Sequence, residues 1–282
     1  MSVDVAMVQV KRPKFGMIII GDEILSGRRQ DKHFTKMVEL LTARGLGLSW
    51  VRVLPDDRAI LVQALRETFA SEDLVFCCGG IGATPDDHTR QAVAAALDLP
   101  LLLHPEAERE ITLRCAEMAE AGQGSADMAL MENQRRLQMG TYVTGAEIIP
   151  NPYNRIPGFY IKRHAFVPGF PVMAWPMLEW VLDHRYGDLH HPEVEDEQSF
   201  LAYNIPESRI TPTLEEIQER WPSVKAFSLP SMGDDRRAHH IELGVKGPSV
   251  HLPAALSFLR ERAIGLGATI DAAVSRSGNP VG

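Results

Sequence analysis

"DLVFCCGGIGATPDDHT", residues Asp73 to Thr89, decides how the rest of the chain is read. A run of apolar residues ends abruptly at Gly79, Gly80 and Gly82, and two carboxylates, Asp86 and Asp87, follow before helix-forming sequence begins. Consecutive apolar residues without alternation describe a strand buried on both faces, the habit of a parallel sheet. The glycines let the backbone take positive φ and approach a ligand with no Cβ in the way. The helix that follows turns unpaired N–H groups and its positive dipole end back into the same bend, a setting for an anion. Thr84 adds a hydroxyl. Neither a Walker A loop nor a spaced G-x-G-x-x-G fingerprint is present. One aspartate accounts for a helix cap. The second is left over.

Working outward, the same alternation recurs. "FGMIII" reads as a buried strand, and "DKHFTKMVELLTARG" as a helix whose apolar face is Phe34, Met37, Val38 and Leu41, ending at Gly45. "LSWVRVL" is the next strand; Asp56 or Asp57 then caps a helix with Ile60, Leu61, Ala64, Leu65 and Phe69 as its buried side. Strand–helix–strand–helix–strand with short connections predicts an α/β fold, a mostly parallel sheet covered by helices on both faces. Two helical stretches follow, then short β-like runs broken by prolines and a helix from about Pro171 to Tyr186. Beyond the acidic, aperiodic "GDLHHPEVEDEQ" the order β-α-β-β-α predicts a smaller α+β domain. The expected organisation is a flexible N-terminus over 1–14, a large domain over 15–188, a linker over 189–198, a small domain over 199–270 and a disordered tail over 271–282.

Composition narrows the function classes. The chain has 282 residues, 45% apolar and 23% charged, with a formal net charge of −8. That charge argues against nonspecific nucleic-acid binding, which depends on Lys and Arg displacing counter-ions. No stretch approaches ~18 uninterrupted apolar residues, and the first residues lack a signal-peptide run, so no membrane role and a cytoplasmic location are expected. Cys77, Cys78 and Cys115 are odd in number and lack C-x-x-C spacing, which suits buried structural thiols in a reducing compartment. The histidine pairs His190–His191 and His239–His240 lie in polar segments and are read as solvated or alternating across a strand.

A second constellation is "GDEILSGRRQDKH" after the first strand, with Asp22, Glu23 and Asp31. In an open parallel sheet the loops at the carboxyl ends of the strands share one edge. The loop after strand one should therefore face the glycine loop and bring these carboxylates near Asp86 and Asp87. Crowded carboxylates repel unless a cation or protons intervene. Oxygen ligands beside a phosphate cradle favour a hard divalent metal such as Mg²⁺. The plainer reading has Asp31 capping its helix and Glu23 solvated.

Together "GDEILSG…D", "GGIGATPDDHTRQAVAAAL", "NQRRL", "NPYNRIPGF" and "PGFPVMAWPM" resemble the molybdopterin-binding (MoaB/MogA-like) domain family, in the branch found at the N-terminus of CinA proteins and of eukaryotic FAD synthase. The resemblance covers roughly Phe15 to Tyr186 and continues weakly into the small domain; it does not extend to the amidase domain of long CinA proteins. It implies a three-layer α/β/α sandwich holding molybdopterin or a nucleotide or pterin phosphate at the glycine loop. Gly79, Gly80, Gly82 and Thr84 match the family's phosphate loop, and Asp22, Asp31 and Asp87 its acidic positions.

The activity implied is divalent-metal-dependent hydrolysis (Mg²⁺, with Mn²⁺ or Co²⁺ as alternatives) of a nucleotide pyrophosphate such as ADP-ribose. Asp22, Asp31 and Asp87 would hold the ion, the loop amides would stabilise charge on phosphorus, and Asp86 or Glu23 would accept the water's proton. The alternatives are a module that binds molybdopterin without turning it over and adenylyl transfer in molybdenum cofactor synthesis. A homo-oligomer, dimer or trimer, is expected. Three places depart from the family pattern: His33 stands where Asn is usual, Asn154 and Arg155 replace small residues before "PGF", and Met173 stands where Glu is common. Arg155 is positioned to grip a phosphate bidentately or to remain a surface charge.

Overall fold

The computed structural model describes residues 13–190, 195–233, 238–271 and 274–275. Two compact units divide the chain, the first made of residues up to 41 and 46–190, the second of 42–45 and the residues from 191 onward.

The first unit opens with β1 (Phe15–Ile20), followed by the short α1 (Asp22–Leu25), α2 (His33–Thr42), β2 (Leu48–Leu54), α3 (Arg58–Phe69), β3 (Leu74–Cys78) and α4 (Thr89–Leu97). Next come β4 (Leu101–Leu103), α5 (Pro105–Glu120), α6 (Met131–Gln138), β5 (Thr141–Val143), β6 (Glu147–Ile149), β7 (Gly158–Ile161), β8 (His164–Val167) and α7 (Pro171–Arg185). Six strands form one sheet in the order β2-β1-β3-β8-β7-β6. The β1–β2, β1–β3 and β3–β8 pairs are parallel; β7 pairs antiparallel with both β8 and β6. β4 and β5 form a separate antiparallel pair.

The uniform apolarity of β1 and β3 has a simple cause. A strand sends alternate side chains to opposite faces, and here both faces are covered. Phe15, Met17 and Ile19 of β1 and Phe76 and Cys78 of β3 join one core with Met37, Leu41, Met177 and Leu178. Ile18, Ile20, Val75 and Cys77 join the other with Leu61, Leu65, Ala92 and Val93. Full burial of each large side chain contributes about 1.5–3 kcal/mol. All three cysteines are buried and unpaired by disulfides. Burial pushes the Cys77 and Cys78 thiols well up, which leaves them inert.

Two helical faces differ from expectation. In α2 the buried residues are His33, Met37, Leu40 and Leu41, whereas Phe34 and Val38 are exposed. The stripe is rotated because a polar residue, His33, occupies a core position, donating from Nε2 to the Gly169 carbonyl at 3.0 Å. In α3, Ile60 is exposed and Thr68 is buried, its hydroxyl 2.8 Å from His164 Nε2. Of the two candidate caps of α3, Asp57 performs the task, accepting from Ala59 and Ile60.

The second unit is antiparallel. β9 (Glu195–Tyr203), α8 (Glu207–Arg220), β10 (Lys225–Ser231), β11 (His240–Pro248) and α9 (Leu252–Gly265) follow the expected β-α-β-β-α order, completed by β12 (Thr269–Ile270) and β13 (Val274–Ser275). The sheet runs β10-β11-β9-β12, with β13 also on β9. Phe200, Ile210, Ile217, Leu243 and Leu259 fill its core.

The boundaries need correction here. Part of the stretch expected as linker is strand, since Asp196, Glu197 and Gln198 pair with Gly247, Lys246 and Val245 of β11. Val274 and Ser275, expected in a disordered tail, pair with β9. The expectation for residues 1–14 falls mostly outside the described residues, as do parts of the linker and tail. Among the described residues no helix is long and apolar enough to cross a membrane.

Candidate functional site

The carboxyl ends of β1, β2, β3 and β8 meet at one rim, and the glycine loop borders a cleft of about 400 Å³ there. Gly21 and Glu23 come from the loop after β1, Asp56 from the loop after β2, residues 79–84 with Asp86 and Asp87 from the loop after β3, and Gly169, Phe170 and Met173 from the entry to α7. The 151–157 turn, including Asn151 and Asn154, also lines it. The expected meeting of the first and third loops therefore occurs, with a contribution from the second.

The glycines have steric reasons of their own. Gly79 and Gly80 take φ of 113° and 66°, a region that favours glycine. A Cβ at Gly79 would collide with the Ile20 carbonyl, and one at Gly80 with the Thr89 hydroxyl. The bend is tied to α4 by Thr89, whose N–H donates to the Gly80 carbonyl at 3.0 Å and whose hydroxyl donates to the Gly79 carbonyl at 3.1 Å.

Asp87 organises the rest of the loop from within. One carboxylate oxygen accepts from the Gly82 N–H at 2.9 Å; the other accepts from the Thr84 N–H at 2.8 Å and from the Thr84 hydroxyl. On the far side, buried Arg90 donates to the Ile81 carbonyl at 3.0 Å and the Gly82 carbonyl at 2.5 Å. Burial lowers its pKa, and Tyr142 and Asp87 act in the opposite direction. In a trans peptide the N–H points opposite to the preceding carbonyl. Holding the Gly82 carbonyl inward therefore turns the Ala83 N–H outward. The amides of Gly80, Ile81 and Ala83 have no acceptor among the described residues, and all three residues line the cleft.

The acidic residues distribute unevenly. Asp22 is exposed and outside the cleft lining; its N–H donates to Asp56 Oδ2 at 3.0 Å while Asp22 Oδ1 accepts the Asp56 N–H at 3.3 Å. Asp56 was expected only as a cap, yet it lines the cleft. Its pKa is raised, first by burial and then by Asp22, Glu23 and Asp86, although the Asp22 amide pulls it down. Its position at the carboxyl end of a parallel strand is the signal that marks it. Asp86, exposed at the rim, has its carboxyl held below the ordinary range by Thr84 and by its own amide. Asp31 caps α2, accepting from His33 and Phe34 at 3.0 and 2.9 Å, and lines a neighbouring pocket.

The expected triad Asp22, Asp31 and Asp87 does not fit a resident metal ion. Each carboxylate is committed to backbone amides, and among the described residues no three His, Cys, Asp or Glu side chains are grouped to hold one.

Arg155 is not at the cleft. It has φ 61° and pairs with Glu117 at 2.6 Å and Glu110 at 3.0 Å on α5, which together raise its pKa. Among the described residues the cation that lines the cleft is Arg29, for which the sequence pattern gave no signal; it is 3.6 Å from Glu23 and 5.9 Å from the centre of the Phe170 ring. Asn154 accepts from Asn151 and Ile156 and donates to the Met173 sulfur at 3.3 Å.

A family described as a probable molybdopterin binding domain matches residues 16–187. The chain is 33% identical over 246 residues to a CinA-like protein of Anaeromyxobacter sp. (strain Fw109-5), covering 80% of this chain and 57% of that protein. It is 30% identical over 259 residues to a CinA-like protein of Anaeromyxobacter dehalogenans (strain 2CP-C), covering 89% and 59%. The chain thus spans less than two thirds of the length of these relatives. Among solved structures, the protein CinA from Thermoplasma acidophilum shares the fold with a TM-score of 0.51 at 23% identity, over 61% of this chain and 98% of that one. With a parallel-centred sheet, a glycine loop at its rim and these sequence matches, the chain belongs to the molybdopterin-binding domain family as a CinA-like member.

Proposed function

We propose that the first unit binds a phosphate-bearing pterin or nucleotide in the cleft between the glycine loop and the 151–157 turn. The observation that carries this reading is the division of labour in the loop. Asp87 and Arg90 take up its inner donors and acceptors, while the amides of Gly80, Ile81 and Ala83, residues that line the cleft, have no acceptor among the described residues. Outward amides are suited to phosphate oxygens. Glu23, Asp56, Asp86 and Asp87 also line the cleft, against Arg29. A polyanion entering alone meets like charge, so the ligand enters with Mg²⁺, Mn²⁺ or Co²⁺ as its counter-ion. Calorimetry with ADP-ribose, FAD, NAD, ATP and a pterin phosphate, each with and without Mg²⁺, tests this. Cation-dependent binding of at least one is expected; no binding by any of them overturns it.

A second reading, hydrolysis of a nucleotide diphosphate, is favoured by Asp56. Asp56 lines the cleft, and its carboxyl is raised in proton affinity by burial and by its acidic neighbours. For ADP-ribose, a water oxygen bonds to phosphorus, the P–O–P link breaks to AMP and ribose 5-phosphate, and Asp56, Glu23 or Asp86 takes the water's proton. Release of AMP from ADP-ribose by wild type, lost in Asp56→Asn, is the expected result; binding without AMP release leaves the module reading alone.

A further inference from the structure

Tyr142, on β5, places a hydroxyl deep in the core and is only 1% exposed. Its ring stacks on Phe159 with centroids 4.7 Å apart, and Phe159 stacks on Phe166 at 4.5 Å. A phenylalanine would serve that ladder as well, so packing does not account for the hydroxyl. It donates to the Pro157 carbonyl at 2.6 Å. Burial pushes its pKa up, so it keeps its proton and stays a donor.

Pro157 is buried and ends the 151–157 turn, of which Asn151, Asn154, Ile156 and Pro157 line the cleft. The turn's other outside ties are weaker in kind. Arg155 pairs with Glu110 and Glu117 at an exposed site, and Asn154 donates to the Met173 thioether. Loss of the Tyr142 hydroxyl would leave a buried carbonyl unpaired, and such a group gains by moving towards water. Because Pro157 lines the cleft, that movement alters the cleft itself, and a ligand then binds only the fraction whose turn stays in place. We propose that Tyr142 is a positioning residue for the ligand of the cleft, its hydroxyl holding the 151–157 turn in place as Arg90 holds the glycine loop. The inference rests on the proposed function above and gives a core residue outside the cleft lining a part in that site.

Amide hydrogen exchange and calorimetry on Tyr142→Phe test this. The amides of Tyr153, Arg155 and Ile156 are bonded within the turn and read how often it opens. They should exchange about fivefold faster than in wild type, the lower end of the effect of leaving a buried carbonyl unpaired. The amides of Gly82, Thr84 and Thr89, bonded within the glycine loop, should keep their rates. In Mg²⁺, the tightest binder among ADP-ribose, ATP and neopterin monophosphate should lose about fivefold in affinity, on the same scale. Thr68→Val removes the hydroxyl facing His164 Nε2, a buried hydrogen bond outside the cleft lining, and should change none of these values. In wild type the three turn amides should exchange more slowly on saturation with that probe, a readout that needs no variant.

Unchanged turn exchange in Tyr142→Phe, or faster turn exchange with unchanged affinity, overturns the inference while sparing the parent reading. Faster exchange in turn and glycine loop alike, or an equal affinity loss in Thr68→Val, would make the hydroxyl a general stabiliser of the core and also overturns it. So does a bound probe that leaves the turn amides of wild type unprotected. Failure of all three probes to bind wild type overturns both.

Discussion

Asn154 donates its side-chain N–H to the sulfur of Met173 across 3.3 Å, joining two of the positions at which this chain departs from the family pattern. The pairing has a chemical sense. Thioether sulfur is a weak acceptor, and the Asn154 oxygen is already taken by Asn151 and by the Ile156 amide, so the wall of the cleft closes on a neutral contact. Met173→Glu would put a carboxylate into a lining that already holds Glu23, Asp56, Asp86 and Asp87. Affinity for a phosphate ligand without divalent cation should fall about fivefold, the scale of one close like-charge pair in a watery setting. The dependence on Mg²⁺ should steepen. Calorimetry with and without the cation reads both.

Asp87 accepts two amides and a hydroxyl from its own loop. Asp87→Ala leaves Gly82 and Thr84 without acceptors. A stability loss on the order of 2 kcal/mol is expected, in the range for hydrogen bonds to a charged group, with ligand affinity falling alongside it. Asp87→Asn, which keeps one acceptor oxygen, should fall between. Urea unfolding midpoints give the order; a wild-type midpoint in the Ala variant would remove Asp87 from the role of loop holder.

Asp56 carries the opposite balance. Its pKa is raised by burial first and then by Asp22, Glu23 and Asp86, so the fold favours its neutral form. That contribution is present below the ordinary carboxyl range of about 4 and is lost as pH rises through the elevated folded value. Asp56→Asn keeps an acceptor for the Asp22 amide and removes the repulsion. Its melting temperature at neutral pH should equal or exceed wild type, and the gap should close on acidification. A gap that widened instead would mean the neighbours do not oppose the charge.

His164 behaves as a core residue, with Nδ1 on the Lys162 carbonyl and Nε2 on Thr68, both at 2.8 Å, and burial pushes its pKa down to about 4. A depressed histidine stabilises fully above the unfolded value near 6.5 and loses that contribution as pH falls towards the folded one. The loss amounts to about 3 kcal/mol between the two values. Denaturation followed across that window should show the decline in wild type and a flatter profile in His164→Gln.

How much of this could be read from the chain follows from what each feature depends on. β1 and β3 were legible because burial on both faces leaves an unbroken apolar run, and the convergence of their loops follows from parallel topology alone. The buried stripe of α2 was misread because His33 and Gly169 are 136 residues apart and their contact leaves no local trace. For Arg155 the sequence left a phosphate ligand and a surface charge open, and only folding, which brings it to Glu110 and Glu117, decides for the second. The first residues of β9 escaped because charge hid the strand; the backbone ladder to β11, with Glu197 opposite Lys246, supplies the pairing that the side-chain pattern lacks.

The guanidinium of Arg90, fixed beneath the glycine loop by two carbonyls, has an effect that reaches beyond the loop's shape. Because those carbonyls are anchored from below, the peptide planes are oriented before any guest arrives. Association of the proposed ligand would then require little freezing of main-chain motion, because the entropic penalty that weakens many anion sites built on glycine is already absorbed into folding.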